Sequence, residues 1–288
     1  GLSIYFQNAK SKFDYLIIAE SYYYLAYAYL SAGEFRFSLE TCAETAKILK
    51  TYRLPPLQSR LEMLLGSIAY STGHFQKAHE HYGVSLQISE FYSAWHMALQ
   101  AAIFSSYTFL KQGKIYQSWE QIKNGLHLAE VYNFSGNHGL LLNAHARIFL
   151  YLGKLDLAKE YFEKALTFSL TSYYVVFNQK DLGFTQFLLG DEETGLKNLE
   201  EAIHLSQIHG FRSIEMIARS EMLLLKYQKN RDPELLDEMQ ALTQITRSIE
   251  LSGAGSSYAY IGTQESIRNQ QFEQAEKFIS ILEEIGKK

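Results

Sequence analysis

Between Ala144 and Leu166 the chain reads AHARIFLYLGKLDLAKEYFEKAL, with apolar and small positions at Phe149, Leu152, Leu155, Ala158, Phe162 and Ala165. Spacings of three and four are the period of a helix with one buried stripe, so the segment predicts a helix, a turn at Gly153 and a second helix. Ala158 and Ala165 lie seven apart with Phe162 between them. The two small residues let a neighbouring helix approach closely while the ring fills the space between. Each such helix needs a partner, and the pattern carries packing rather than chemistry.

The pattern recurs. Aligned on their turns, the units centre near Gly33, Gly73, Gly113, Gly153, Gly190, Asn230 and Gln270, with separations of 40, 40, 40, 37, 40 and 40. A fixed period of this size is the signature of a solenoid, and seven units exceed the roughly three that a stable stack needs. The expected fold is all-α, a solenoid of about seven helix-turn-helix repeats forming a single domain over residues 1–288. Cys42 takes the slot that Phe162 fills in the fourth unit and reads as core filler. Asp191 and Asp232 are placed as helix N-caps, with Pro233 as a first helical residue. Residues 133–139 are expected to mark a bend and residues 251–258 a hinge, both from turn composition. Leu2 to Ala9 falls where the second helix of an earlier repeat belongs, and the chain starts on Gly1. A fragment of a longer protein is therefore expected.

Composition narrows the function classes. Three prolines in 288 residues, with 47% hydrophobic content, suit long helices joined by short connections. The net charge of -4 leaves no electrostatic footprint for direct nucleic-acid binding. One cysteine excludes an internal disulfide and a multi-cysteine metal site, and fits a reducing, cytoplasmic setting. The most apolar segment, Leu16 to Leu30, contains Glu20 and Ser21 and reads as a buried solenoid helix rather than a membrane span.

In the second unit Leu65, Gly66, Gly73, Phe75, Ala78 and Tyr82 match the tetratricopeptide repeat pattern. So do Leu182, Gly183, Gly190 and Ala202, and Gly153, Leu155, Ala158, Phe162 and Ala165. The chain resembles the tetratricopeptide repeat (TPR) family over nearly its whole length. The first, third, sixth and seventh units depart at several signature positions, and the closing proline is missing. The period is nearer 40 than the usual 34. Longer repeats of this kind resemble the sensor region of maltose-regulator-type bacterial activators. Neither a phosphate-binding loop nor a helix-turn-helix motif accompanies them here.

The resemblance implies a right-handed superhelix whose concave groove is lined by the first helix of each pair. The groove positions would then hold Tyr23, Tyr27, Met63, Tyr70, Ile103, Tyr107, Asn143, Arg147, Lys180, Phe184 and Phe187. Tyrosine gives large rigid contact area with a polar tip, a composition enriched in recognition surfaces. Arg147 and Lys180 would meet a carboxylate or phosphate of the ligand. The competing expectation is that the tyrosines pack between helices and the two cations pair with neighbouring glutamates. The family's carboxylate-clamp pattern is not reproduced in the first three units.

Other candidate chemistry is weak. His79 and His81 diverge by roughly 200° on a helix and do not form a metal pair. Glu192 with Glu193, Glu200 with Glu201 and Glu283 with Glu284 are adjacent carboxylates, and catalysis needs groups that converge across a cleft. An α/α-barrel enzyme would need the helices to close into a ring, whereas a constant-period stack is expected to stay open. The reading is a non-catalytic protein-protein interaction module, without cofactor or metal, binding a peptide or partner protein in its groove. The alternative is a regulatory sensor domain of a larger signalling or transcription protein, binding a small effector or signalling peptide. Self-association through the solenoid ends is a further expectation.

Overall fold

The computed structural model describes residues 11–132, 138–169, 171–251 and 256–286, and among them every regular element is a helix. Each repeat contributes an inner helix followed by an outer one. The first three pairs are α1 (Lys12–Ser31) with α2 (Phe35–Thr51), α3 (Pro55–Ser71) with α4 (Phe75–Phe91), and α5 (Trp95–Lys111) with α6 (Ile115–Val131). Then come α7 (His138–Tyr151) with α8 (Leu155–Thr167), α9 (Ser172–Leu188) with α10 (Glu192–His209), α11 (Arg212–Asn230) with α12 (Pro233–Ser248), and α13 (Ser256–Arg268) with α14 (Phe272–Gly286). The expected bend at 133–139 and hinge at 251–258 fall largely outside the described residues, as does Leu2 to Ala9.

Five of the turns rest on a left-handed glycine, with φ of +75° at Gly33, +82° at Gly73, +70° at Gly113 and Gly153, and +92° at Gly190. A side chain resists this region, so a glycine every forty residues marks where one helix stops and the chain reverses. Gln270 takes the same conformation at +57°. In the sixth unit the left-handed residue is Arg231, at +50°, rather than Asn230, which ends α11. Asp232 caps α12 as expected, its carboxylate accepting the Glu234 N–H at 3.0 Å. Asp191 occupies the N-cap position of α10 but makes no side-chain capping bond.

Each outer helix packs on its own inner helix and on the next one, and each inner helix also touches the inner helices of neighbouring repeats. Closer spacing on one side curves the stack, with α1, α3, α5, α7, α9, α11 and α13 on its inside. Ala158, Phe162 and Ala165 are fully buried, as their spacing demanded. Cys42 is buried in its expected slot, and burial pushes its thiol up to about 12. The α1 helix differs from expectation. It buries Ile18, Ala19 and Ala26 but leaves Phe13, Ile17, Tyr24 and Leu25 exposed, because among the described residues it packs closely on α2 and more sparsely on α3.

The stack does not stay open. A Cβ at Gly33 would lie 3.7 Å from Arg212 Cβ and from Ile249 Cδ1, whereas at Gly113, Gly153 and Gly190 it would meet nothing within 4 Å. Glu34 pairs with Arg212 at 3.6 Å. One apolar cluster contains Phe35, Cys42 and Ile68 together with Met216, Leu242 and Leu251. Arg212 begins α11 and Ile249 caps α12. The turn edge of repeat one thus meets the opposite edge of repeat six. About five repeats complete one superhelical turn, and its pitch is close to one helix length, ~25 Å for 17 residues. The expected open stack is corrected on this point, since small rotations between successive repeats add up to a closed turn.

Two glycines test the packing in opposite directions. A Cβ at Gly183 would lie 2.8 Å from the Gly195 carbonyl oxygen, where α9 crosses α10, so Gly183→Ala is expected to cost about 1–3 kcal/mol. At Gly83, inside α4, a Cβ meets nothing within 4 Å, and Gly83→Ala is expected to gain about 0.5–1 kcal/mol. Chemical denaturation followed by circular dichroism measures both.

Candidate functional site

The inner helices face a lumen whose walls are aromatic. From α1 come Tyr23 and Tyr27, from α3 Tyr70, from α5 Tyr107, and from the start of α9 Tyr173 and Tyr174. The electrostatics show how these groups converge. Tyr173 and Tyr174 interact with each other and with Tyr27, Tyr173 also with Tyr70, and Tyr107 with Tyr70 and Tyr174. Repeats one, two, three and five therefore look into one space. Tyr27 is 46% exposed, yet the protein around it desolvates its hydroxyl enough to raise its pKa. Burial raises the Tyr173 and Tyr174 hydroxyls further, and neither they nor Tyr27 hydrogen-bond to any described residue.

Behind this surface lies a polar spine. Tyr107 donates its hydroxyl to Asn143 Oδ1 at 2.7 Å. Asn143 Nδ2 donates to Asn178 Oδ1 at 2.5 Å, and Asn178 Nδ2 donates to Ser169 Oγ at 2.9 Å. Beside it Arg147 grips Asp181 through two bonds, Nε to Oδ2 at 2.8 Å and Nη2 to Oδ1 at 3.3 Å. Lys180 bonds Asp181 at 2.5 Å and Glu221 at 3.0 Å. The guanidinium also lies 4.4 Å from the centre of the Phe177 ring and 5.1 Å from that of Tyr107, within cation–π range. Burial alone would raise the Asp181 pKa. Arg147 and Lys180 outweigh it and hold the carboxyl well below the usual range.

The expected groove residues fall into two sets. Tyr23, Tyr27, Tyr70, Phe184 and Phe187 retain open surface, with Arg60 stacked 4.2 Å over the Tyr23 ring and bidentate to Glu20. Met63, Ile103, Tyr107, Asn143 and Lys180 are buried, each less than one-tenth exposed. Met63 packs with Ala78, Tyr82 and Ala101. Arg147 and Lys180 meet carboxylates of this chain, Asp181 and Glu221, in a buried layer rather than at the surface. The reason is the inner-helix contact: positions that would face an open groove are covered by the adjacent inner helix once the turn tightens. Sequence reasoning missed Tyr173, Tyr174 and Asn178, which lie near the start of α9, further from the turn than the positions counted. It also missed Asp181 as the partner of both cations, although the adjacent KD pair was its signal.

His79 and His81 diverge as expected, His79 to Ser105 at 2.9 Å and His81 to Glu62 at 2.7 Å. Among the described residues no group of three metal-ligating side chains assembles, and no helix is long and apolar enough to cross a membrane.

Solved structures share this architecture. A Rap protein complexed with competence and sporulation factor superposes with a TM-score of 0.72 at 13% identity, covering 98% of this chain and 77% of that one. NprR in complex with its cognate peptide NprX gives 0.72 at 14% identity, over 96% and 77% of the two chains. The fold is a TPR-like α-solenoid. The apo form of the quorum sensor NprR from B. thuringiensis gives 0.62 at 11% identity, over 98% and 79%. At these identities the shared property is the fold. No protein-family model and no curated protein sequence matches the chain.

The spine has a measurable cost of disruption. Arg147→Ala leaves Asp181 buried with one cation, and a loss of about 3 kcal/mol is expected in denaturant unfolding. Asp181 has a depressed folded pKa, so its contribution is full above the unfolded value of about 3.9 and is lost as pH falls towards the folded value. Acid unfolding of Asp181→Asn should accordingly depend less steeply on pH below about 4.

Proposed function

We propose that this chain is the peptide-sensing module of a regulatory protein, holding a short signalling peptide in extended conformation inside its superhelical channel. The observation that carries the reading is the convergence of Tyr27 with Tyr173 and Tyr174 across the lumen, with hydroxyls that bond no described residue. Groups that perturb each other's ionisation in this way face one another across a short gap. An α-helix with its side chains needs about 10–12 Å, so the lumen suits an extended chain better. Extended backbone offers donors and acceptors to phenolic hydroxyls that serve as both, and its side chains pack on the rings. Arg147 and Lys180 are neutralised by Asp181 and Glu221, so selection here is by shape and apolar contact rather than by net charge.

The similarity to a Rap protein solved with competence and sporulation factor and to NprR solved with its cognate peptide supports the same reading, and NprR superposes better with its peptide than without it. This favours the signalling-peptide alternative over a general adaptor. The module acts by binding: Asp181, buried beside the aromatic wall, is locked between two cations and is a poor base or nucleophile. The likeness to the sensor region of maltose-regulator-type activators rests on period and helix length. It fits the same architecture with a small effector in place of a peptide.

Panning a displayed library of random linear heptapeptides on the full chain tests the reading. Enriched peptides are expected to be rich in apolar and aromatic residues and to bind in fluorescence anisotropy. Tyr27→Ala combined with Tyr174→Ala should weaken that binding at least about tenfold with helicity unchanged. Undiminished binding to the double variant places the peptide elsewhere and overturns the channel reading.

A further inference from the structure

We propose that the edge of the stack opposite the glycine turns is a self-association surface, on which a second copy of this chain seats its turn edge and continues the superhelix. The proposal goes beyond the channel reading and does not depend on what the lumen holds.

The residue that closes each outer helix is the common element. Tyr52 caps α2, Tyr92 caps α4 and Phe168 caps α8, while Tyr132 directly follows α6. Positions 52, 92 and 132 are forty apart, so a tyrosine recurs at the same place in three successive repeats. Its neighbours brace it: Tyr52 stacks on Tyr15 at 4.4 Å, and Tyr132 on Trp95 at 4.4 Å with an angle of 11° between the rings. The row is also open. Tyr92 is 54% and the adjoining Phe91 81% exposed, and Tyr132 and Phe168 are exposed as well. Rings held in place yet left in water are the composition of a recognition surface.

The chain itself shows what this edge receives. In repeat six the same position, just after α12, is Ile249, whose Cδ1 lies 3.7 Å from where a Cβ on Gly33 of repeat one would stand. Phe35, Cys42 and Ile68 meet Met216, Leu242 and Leu251 in one buried cluster, so a turn edge resting on an opposite edge is a built interface. The turns at Gly113, Gly153 and Gly190 share the left-handed conformation of Gly33, but a Cβ there would meet nothing within 4 Å. A turn without a side chain presents flat backbone, against which a ring can lie.

The registers agree. Repeat one rests on the repeat five further along, and each copy holds seven, so continuing the superhelix sets repeats three, four and five of one copy on repeats one, two and three of the next. Gly113, Gly153 and Gly190 then face Tyr52, Tyr92 and Tyr132. The same placement brings α14, with Phe272 and Ile279 exposed, against α1 of the next copy, with Phe13, Ile17, Tyr24 and Leu25 exposed. That is the order in which each outer helix meets the following inner helix inside the stack. One operation covers three open apolar surfaces. The contact joins different faces of the two copies and does not close on itself, so copies add end to end.

Sedimentation equilibrium of the full chain tests this. The average mass should rise with concentration past that of a dimer, without levelling off. Tyr92→Asp combined with Tyr132→Asp, both at exposed positions, should weaken association at least about tenfold at unchanged helicity. That variant keeps its turn edge, so in excess it should cap and shorten assemblies of the unmodified chain. Tyr92→Cys protein mixed with Lys154→Cys protein should be joined by a short bismaleimide, whereas either alone should not. Cys42 is buried and does not compete. A chain that stays monomeric, a mass that levels off at the dimer, association untouched by the double variant, or Tyr92→Cys joining to itself as readily as to Lys154→Cys overturns the proposal.

Discussion

A pair of helices of this size cannot bury its own apolar stripe, and every other feature of the molecule follows from that shortage. The inner helix of each repeat has one face for its outer partner and another that only the next repeat can cover. The small residues Ala158 and Ala165, and the glycines Gly183 and Gly195, let those faces meet at close range. Stacking is thus compulsory, and its stability is a sum of neighbour terms. Curvature comes from the same source, because inner helices touch one another where outer helices do not. The lumen is the inside of that curve.

How much of this was legible depended on the range of the interaction. Turns at Gly33, Gly73, Gly113, Gly153 and Gly190 are local events, fixed by one backbone conformation, and their spacing exposed the architecture. Buried slots such as those of Cys42 and Phe162 follow from helical period within a single unit. The lumen was legible in kind, as an excess of tyrosine on inner helices, but not in membership. Tyr107 and Asn143 share register with Tyr23 and Tyr27, yet the first two are covered by α7 and α9 while Tyr27 stays wet. That difference is decided by how tightly successive repeats rotate, a quantity spread over many weak contacts and written at no single position. The closure of repeat one on repeat six lay beyond reach for the same reason.

The buried charges belong with the curvature rather than with ligand capture. Arg147, Asp181, Lys180 and Glu221 come from three successive inner helices and cancel in pairs. A buried pair of this kind contributes little net stability over an apolar substitute, since desolvation offsets most of the attraction. What it does supply is directionality: a bidentate guanidinium tolerates a narrow range of angles, while a leucine contact tolerates many. The run from Tyr107 through Asn143 and Asn178 to Ser169 acts in the same sense across α5, α7 and α9. Together these bonds fix the rotation from repeat three to repeat six.

This arrangement divides the superhelix into a stiff arc and a compliant one. Repeats three to six are pinned by hydrogen bonds that are costly to break in a dry interior. Among the described residues, repeats one and two show no comparable run of buried hydrogen bonds across their inner helices. Arg60 reaches Glu20 and the Tyr23 ring at a joint that is one-quarter exposed. A rotation of the early repeats against the pinned arc would therefore concentrate at α1 and α3, the helices that carry Tyr23, Tyr27 and Tyr70. Half the aromatic wall would move as one body while Tyr173 and Tyr174 stay with the arc. On the proposed function, a ligand lying between the two halves would be read out as a change in pitch, because the surface it touches is divided between the pinned repeats and the early ones.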